Sequence, residues 1–271
     1  MEKNSWQSCG SGLTQAETAE GRRDSIFSVM TGSDKVNSAI YDRGRIRLCH
    51  GDFLDVVKGM DSDSIDMVFT DPPYGLTGGG MKSGKLVYPD NGVFGSCGFD
   101  TGSIAFDAWI PEVYRVMKND RYFYVMSNDR NLFSIHDVCT DSGFKFCELL
   151  VMDKKMTVPS VYYPKKAEFI LMYRKGKCRK TRFTGATVMG AALPRGKEKR
   201  HPTEKPVSVI SHLIRCSTFE NELCLDPFMG SCPAGEACIM TGRRFIGSEI
   251  EQEWYAVSRD RIPGLLQTGK E

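Results

Sequence analysis

The sequence predicts an α/β fold with a largely parallel central sheet, and three features of it lead there. Short apolar runs of strand length alternate with segments of helical period, the signature of strand–helix units. Prolines open two of the helical segments, at Pro206 and Pro233, and Gly242 closes the second, the expected asymmetry of a helix's two ends. At 271 residues the chain can bury one substantial core, and 41% hydrophobic against 26% charged residues is the balance of a folded protein.

Residues 1–44 are rich in Ser, Gly, Asp and Glu with weak periodicity, and read as a poorly ordered extension. The folded domain is expected from Arg45 to Ile262, leaving 263–271 as a tail. Strands are expected at 45–49, 65–70, 121–126, 144–152, 168–173, 223–226 and 244–249. A helix fits 104–118, where Phe106, Trp109, Ile110, Val113 and Met117 make one apolar stripe. A second fits 206–218, starting at Pro206 with Val207, Ile210, Leu213 and Ile214 on one face. A third opens at Pro233 and closes at Gly242. The glycine-rich stretches 75–103 and 184–196 read as long loops, which in compact domains usually carry function.

No apolar run approaches the roughly 18 residues of a membrane span, and no charged-then-apolar segment opens the chain. The reading is a soluble, cytoplasmic protein. Ten cysteines include no CxxC and no Cys–His pair at zinc spacing, while Cys49, Cys147 and Cys224 sit in strand-like apolar runs. They read as reduced core thiols, and no metal is expected. The net charge of +2 conceals a concentration: residues 174–205 carry eleven Lys and Arg against Glu198 and Glu204. Such a stretch is the footprint of a polyanion-binding face, with Lys177, Arg179, Lys180 and Arg182 as candidate contacts.

Two motifs carry chemistry. Asp71-Pro72-Pro73-Tyr74 follows the apolar run 65–70, and loops leaving the carboxyl ends of strands form the ligand crevice of an open α/β sheet. Two prolines hold the backbone extended with carbonyls free to accept. An amino group on a base is a poor nucleophile, because its lone pair is delocalised into the ring. The Asp71 carboxylate and a carbonyl near Pro72 can take both its N–H hydrogens, draw the nitrogen towards tetrahedral geometry and stabilise the developing positive charge. Tyr74 offers a ring for a base flipped out of the duplex to stack on. The second motif, Asp226-Pro227-Phe228-Met229-Gly230-Ser231, lies between a strand and the Pro233 helix. There a glycine turn lets backbone amides at a helix start approach an anionic group. Glu249, about twenty positions on, ends the next strand, where an acidic residue can accept from ribose hydroxyls.

With GDFLDVVKGM at 51–60, HPTEKP at 201–206 and FIGSEIEQEWY at 245–255, these motifs give the chain its likeness. It resembles the amino-group (N6-adenine/N4-cytosine) DNA methyltransferases, in the motif order of their circularly permuted β group. The resemblance spans residues 45–262. It implies a Rossmann-like, seven-stranded, mostly parallel sheet with helices on both faces. It implies S-adenosyl-L-methionine as cofactor and double-stranded DNA as partner, with a homodimer and a cognate restriction endonuclease as further candidate partners. Asp71, Pro72, Pro73 and Tyr74 would form the target-base pocket. Asp226, Phe228, Gly230 and Ser231 would line the cofactor and Glu249 bind its ribose. Asp52 and Phe53 would face its adenine, and Thr203 and Lys205 lie near its methionine end. The basic segment 154–200 would take part in target recognition. Asp at the head of DPPY leans towards adenine N6. One departure is Cys232, where the family's turn commonly has a third small position as glycine. A cytosine-N4 enzyme, an RNA or protein amide methyltransferase, and a silent DNA-binding module stay open as alternatives.

Overall fold

The computed structural model describes residues 36–73, 104–158, 163–177, 185–190 and 204–268, with the backbone of 81–82 and 85–86. The strands are β1 (Asn37–Tyr41), β2 (Ile46–His50), β3 (Ile65–Thr70), β4 (Met81–Lys82), β5 (Lys85–Leu86), β6 (Met117–Ser127), β7 (Lys145–Val158), β8 (Lys165–Lys175), β9 (Val188–Gly190), β10 (Leu223–Asp226) and β11 (Arg244–Glu249). Nine of them form one sheet in the order β1-β2-β11-β10-β3-β6-β8-β7-β9, and β4 and β5 pair separately. The five strands from β2 to β6 are mutually parallel, whereas β1 and β8 run against their neighbours.

The expected sheet of seven strands is therefore corrected to nine. All seven expected strands form, and the two additions stand at the sheet's two ends. β1 is five residues joined to β2 by the short 3-10 turn Asp42–Gly44, so the folded part starts ahead of Arg45. β9 is three residues of the glycine-rich stretch, pairing parallel to β7. Neither has the alternation or length that marks a strand in sequence. At the other terminus a helix runs on through Pro263 to Thr268, into the expected tail.

The helices are α1 (Phe53–Val57), α2 (Phe106–Val116), α3 (Leu132–Asp141), α4 (Val207–Ser217), α5 (Pro233–Thr241) and α6 (Gln252–Thr268). The sheet is hydrophobic on both faces because its central strands alternate between two cores. Tyr122, Tyr124 and Met126 of β6 meet Leu213 of α4, Ala237 of α5 and Ile262 of α6 in one core. Phe123 and Val125 meet Val56 of α1, Val113 of α2 and Ile135 of α3 in the other. At the amino edge of the parallel strands, Asp66 is 3% exposed. It accepts from Lys118 Nζ at 2.8 Å, from Arg121, and from Leu223 N at 3.0 Å. That one carboxylate ties the starts of β3, β6 and β10, so their far ends stay in register. No described helix is long and apolar enough to cross a membrane.

Candidate active site

At the opposite, carboxyl edge four adjacent parallel strands each end in an acidic residue. Across the sheet these are Asp52 after β2, Glu249 of β11, Asp226 of β10 and Asp71 after β3. The chain leaves β3 towards β6 and leaves β10 towards β11, in opposite directions along the sheet. The crevice of such a topological switch point opens between them.

β3 and β10 are joined there by Thr70 Oγ1, which donates to Asp226 Oδ1 at 2.9 Å. The next residue, Asp71, is thereby held beside the DPFMGS turn. Asp71 is half-buried, Pro72 buried and Pro73 exposed, while Tyr74 lies outside the described residues. Asp226 is 3% exposed and also accepts from Phe228 N at 3.1 Å. Burial pushes its carboxyl up to about 7 against the pull of those two donors, with the Asp71 and Glu249 charges adding to the rise.

The turn after Asp226 is built by short-range constraints. Ser248 Oγ donates to the Pro227 carbonyl at 2.6 Å, and Met229 N donates to the Ser248 carbonyl at 2.9 Å. Met229 can lie over β11 because position 247 is glycine; an added Cβ would stand 2.6 Å from its sulfur. Gly230 N donates to Glu249 Oε2 and Glu251 N to Glu249 Oε1, each at 2.9 Å. Burial raises the Glu249 carboxyl above its usual range. Phe228 turns its ring edge to Trp109 at 5.1 Å and to Phe53 at 6.1 Å. Phe53 is 2% exposed and belongs to the core, whereas Asp52 caps α1 by accepting from Leu54 N at 2.8 Å. Gly51 N donates to the Glu249 carbonyl at 3.0 Å, which brings the Asp52 turn up to Glu249. Ser231 is buried, and Cys232 sits at φ 64°, ψ 44°, a left-handed conformation that glycine adopts without strain.

The structure seats Lys205 against the Asp71 loop. Its Nζ is 3.0 Å from Asp71 Oδ2 and 3.0 Å from Glu168 Oε2, with the side chain 8% exposed. Burial alone would lower this ammonium, but the two carboxylates outweigh it and hold the lysine above its usual range. The neighbouring Glu204 points to a different anchor. Arg261 Nη1 donates to Glu204 Oε1 at 2.8 Å and to the Ser231 carbonyl at 2.9 Å, and Arg261 Nε to Glu236 Oε2 at 2.6 Å. Sequence reasoning missed both Glu168 and Arg261. The available signal was Glu204-Lys205 itself, two charges directly before a proline-opened apolar helix, which must find partners when that helix packs.

Among the expected nucleic-acid contacts, Lys177 is not brought to this site. β8 runs against the central strands, so its last residues return to their amino edge, where Lys177 N donates to Asp120 Oδ1 at 2.7 Å. Lys175 of the same basic stretch is buried, with Nζ donating to Asp63 Oδ1, the Tyr114 carbonyl and the Met117 carbonyl. Arg179, Lys180, Arg182 and Thr203 lie outside the described residues. The start of β8 and the end of β7 instead pass the carboxyl edge, because the β6–β8 pairing already ends at Ser127↔Phe169. That hairpin carries Lys154, Lys155, Lys165, Lys166 and the exposed Tyr163.

A family model described as DNA methylase, of N6/N4 type, matches residues 65–189 and 181–260. The Type II methyltransferase M2.DpnII of Streptococcus pneumoniae is 29% identical over 253 residues, covering 84% of this chain and 93% of its own length. M2.LlaDCHI of Lactococcus lactis subsp. cremoris is 29% identical over 247 residues, covering 82% and 91%. Among solved structures, the M1.HpyAVI–SAM complex superposes with a TM-score of 0.61 at 24% identity, covering 80% of this chain and 98% of its own. The cytosine-N4-specific PvuII DNA methyltransferase gives 0.63 at 18% identity, covering 80% and 86%. Likeness at those identities is a likeness of fold. The family match takes in both the Asp71 loop and the Asp226 turn, which the sheet sets side by side, so this chain belongs to the N6/N4 DNA methylases, S-adenosylmethionine-dependent enzymes.

Proposed function

We propose that this protein methylates N6 of adenine in double-stranded DNA, with S-adenosylmethionine as donor. The observation that carries the reading is the Thr70–Asp226 hydrogen bond, because it fixes a base-gripping carboxylate one residue from the wall of a cofactor turn. The residues fit the donor. Asp226 is a buried carboxylate suited to an ammonium, the Gly230 turn presents backbone amides, and Glu249 suits hydroxyls. Phe228, packed against Phe53, gives an apolar wall, and Ser231, Asp52 and Thr203 complete the expected set. Bound there, the cofactor supplies an electrophilic methyl carbon, whose bond to sulfur breaks towards sulfur as the amine lone pair attacks.

In this reading the chain's own work is positioning and charge stabilisation. Asp71 and a carbonyl at Pro72 accept from the amino group, Pro73 keeps the loop extended, and Tyr74 stacks on the flipped base. A cytosine-N4 reading has its own support, since the same fold occurs in a cytosine-N4-specific enzyme. Two duplexes, one with adenine as its only methylatable amine and one with cytosine, separate the readings when incubated with labelled cofactor. Label in the adenine duplex is expected; label confined to the cytosine duplex overturns the choice of base. The relatives' Type II naming also supports a cognate restriction endonuclease as a partner, and a cytoplasmic place beside the DNA. A homodimer belongs to the same proposal.

A further inference from the structure

The ammonium of Lys205 is shared. Asp71 Oδ2 and Glu168 Oε2 lie at the same 3.0 Å from it, and Glu168 Oε1 is 3.5 Å from Lys154 Nζ. The groups form a row of alternating charge that runs from the β7–β8 hairpin to the DPPY loop. Lys154 and Lys205 have side chains 12% and 8% exposed, so both ammonium groups are largely removed from water.

We propose that Lys205 and Glu168 are positioning residues for Asp71, with Lys205 anchoring the carboxylate and Glu168 holding Lys205. The proposal rests on the methyltransferase reading of the site. A carboxylate that must accept from an incoming amine cannot be monopolised by a lysine. A lysine with Asp71 as its single counter-charge would follow Asp71 as it turned, or restrain it. Glu168 supplies a second counter-charge that stays with Lys205 when Asp71 engages the base. It also offsets the ammonium's field, leaving Asp71 a stronger acceptor than a simple ion pair would.

The two positioning residues act on Asp71 with opposite sign, and that separates positioning from a merely structural role. Among the described residues, the charged groups around Asp71 include Lys205 on the segment before α4, Asp226 at the end of β10, Glu168 on β8, and Lys154 on β7 through Glu168. Removing the Lys205 charge makes Asp71 easier to protonate, so the acid limb of the kcat profile moves to higher pH. Removing the Glu168 charge leaves the ammonium unopposed, so the limb moves to lower pH.

The test is the pH profile of kcat for methyl transfer to duplex DNA in Lys205→Met, Lys205→Arg and Glu168→Gln, with cofactor affinity by calorimetry. Lys205→Met is expected to reduce kcat about 100-fold while changing cofactor Kd by less than about threefold, on the scale of losing one transition-state charge contact. Lys205→Arg is expected to restore part of that loss. Glu168→Gln keeps size and shape and is expected to reduce kcat about tenfold. Acid limbs moving in opposite directions support the proposal. Limbs moving together, or a loss carried by cofactor Kd, overturn it. If the unaltered protein moves no methyl group to DNA, the methyltransferase reading itself fails. The pairing is then decided by melting temperatures of Asp71→Asn, Lys205→Met and the double variant: additive shifts overturn it and non-additive ones support it.

Discussion

Burial makes the Asp226 carboxyl hard to ionise, and that has a sign that can be checked. Its folded pKa of about 7 lies above the ordinary carboxylate value. Below the unfolded value both states are protonated and nothing is lost. As pH rises from about 4 to about 7 the unfolded carboxyl ionises while the folded one resists, so stability falls by on the order of 4 kcal/mol across that window. Asp226→Asn is expected to flatten this decline in urea melts while weakening cofactor binding. In the unaltered protein, an ammonium bound against Asp226 would favour its charged form. Cofactor binding should therefore tighten between pH 6 and pH 8, and a pH-independent Kd in calorimetry would remove Asp226 from the cofactor's contacts.

Cys232 and Gly235 form a pair at the same scale. Cys232 occupies a left-handed conformation, and a Cβ on Gly235 would stand 2.3 Å from its sulfur. Gly235→Ala is expected to destabilise the protein by about 1–3 kcal/mol through overpacking. In a Cys232→Gly background the clash disappears and the same change should cost less, with the Phe245 ring as the remaining obstacle. The departure from the family's turn is thus accommodated by the next turn of α5. Additive effects in a melting-temperature cycle would show that the two positions are independent.

At the scale of elements, Arg261 pins α6 to the turn after Asp226 and to the segment ahead of α4. Arg261 and Glu204 are each 3% exposed in their ion pair, and removing Arg261 takes a counter-charge from both Glu204 and Glu236. Arg261→Met is expected to cost about 3–5 kcal/mol, and adding Glu204→Gln should recover much of it. Denaturant titration reads both. If the double variant is no more stable than the single one, the Glu204 pair is not what holds α6 in place.

Elements also divide what was legible in the sequence from what was not. β3, β10 and β11 have the bounds expected from their apolar runs, because their strands are buried on both faces and end at motifs. The start and stop of α5 follow from proline at its first turn and Gly242 at φ 73° beyond its last. β1 and β9 were not legible, since edge strands are short and need little apolar alternation. The four acidic residues of the carboxyl edge could be named one by one. Their order across the sheet could not, because that depends on which strands become neighbours. The surroundings of Lys205 and Lys177 were not legible for the same reason: they are set by partners more than a hundred residues away or by the reversed run of β8.

At the scale of the whole molecule, the exposed basic charge that faces the site, among the described residues, is on the β7–β8 hairpin. Lys155 and Lys166 are 56% and 55% exposed, each beside Asp153. Reversing both to Glu is expected to weaken duplex binding and reduce the slope of log affinity against log salt. Reversing Lys177 at the opposite edge should leave that slope unchanged. An equal effect from both edges would mean that DNA wraps further round the protein than the crevice requires.

The middle of the sheet is synthesised last. β2 and β3 leave the ribosome early, yet the gap between them is filled by β10 and β11, some 150 residues later. Until those strands arrive, β2 and β3 each present an unpaired edge, and the Asp226 and Glu249 carboxylates are missing from the crevice. Closure of the sheet and birth of the binding crevice are thus one event. On the proposed reading, a chain that ends before β10 lacks Asp226, Gly230 and Glu249, and would be silent rather than sloppy in its choice of target.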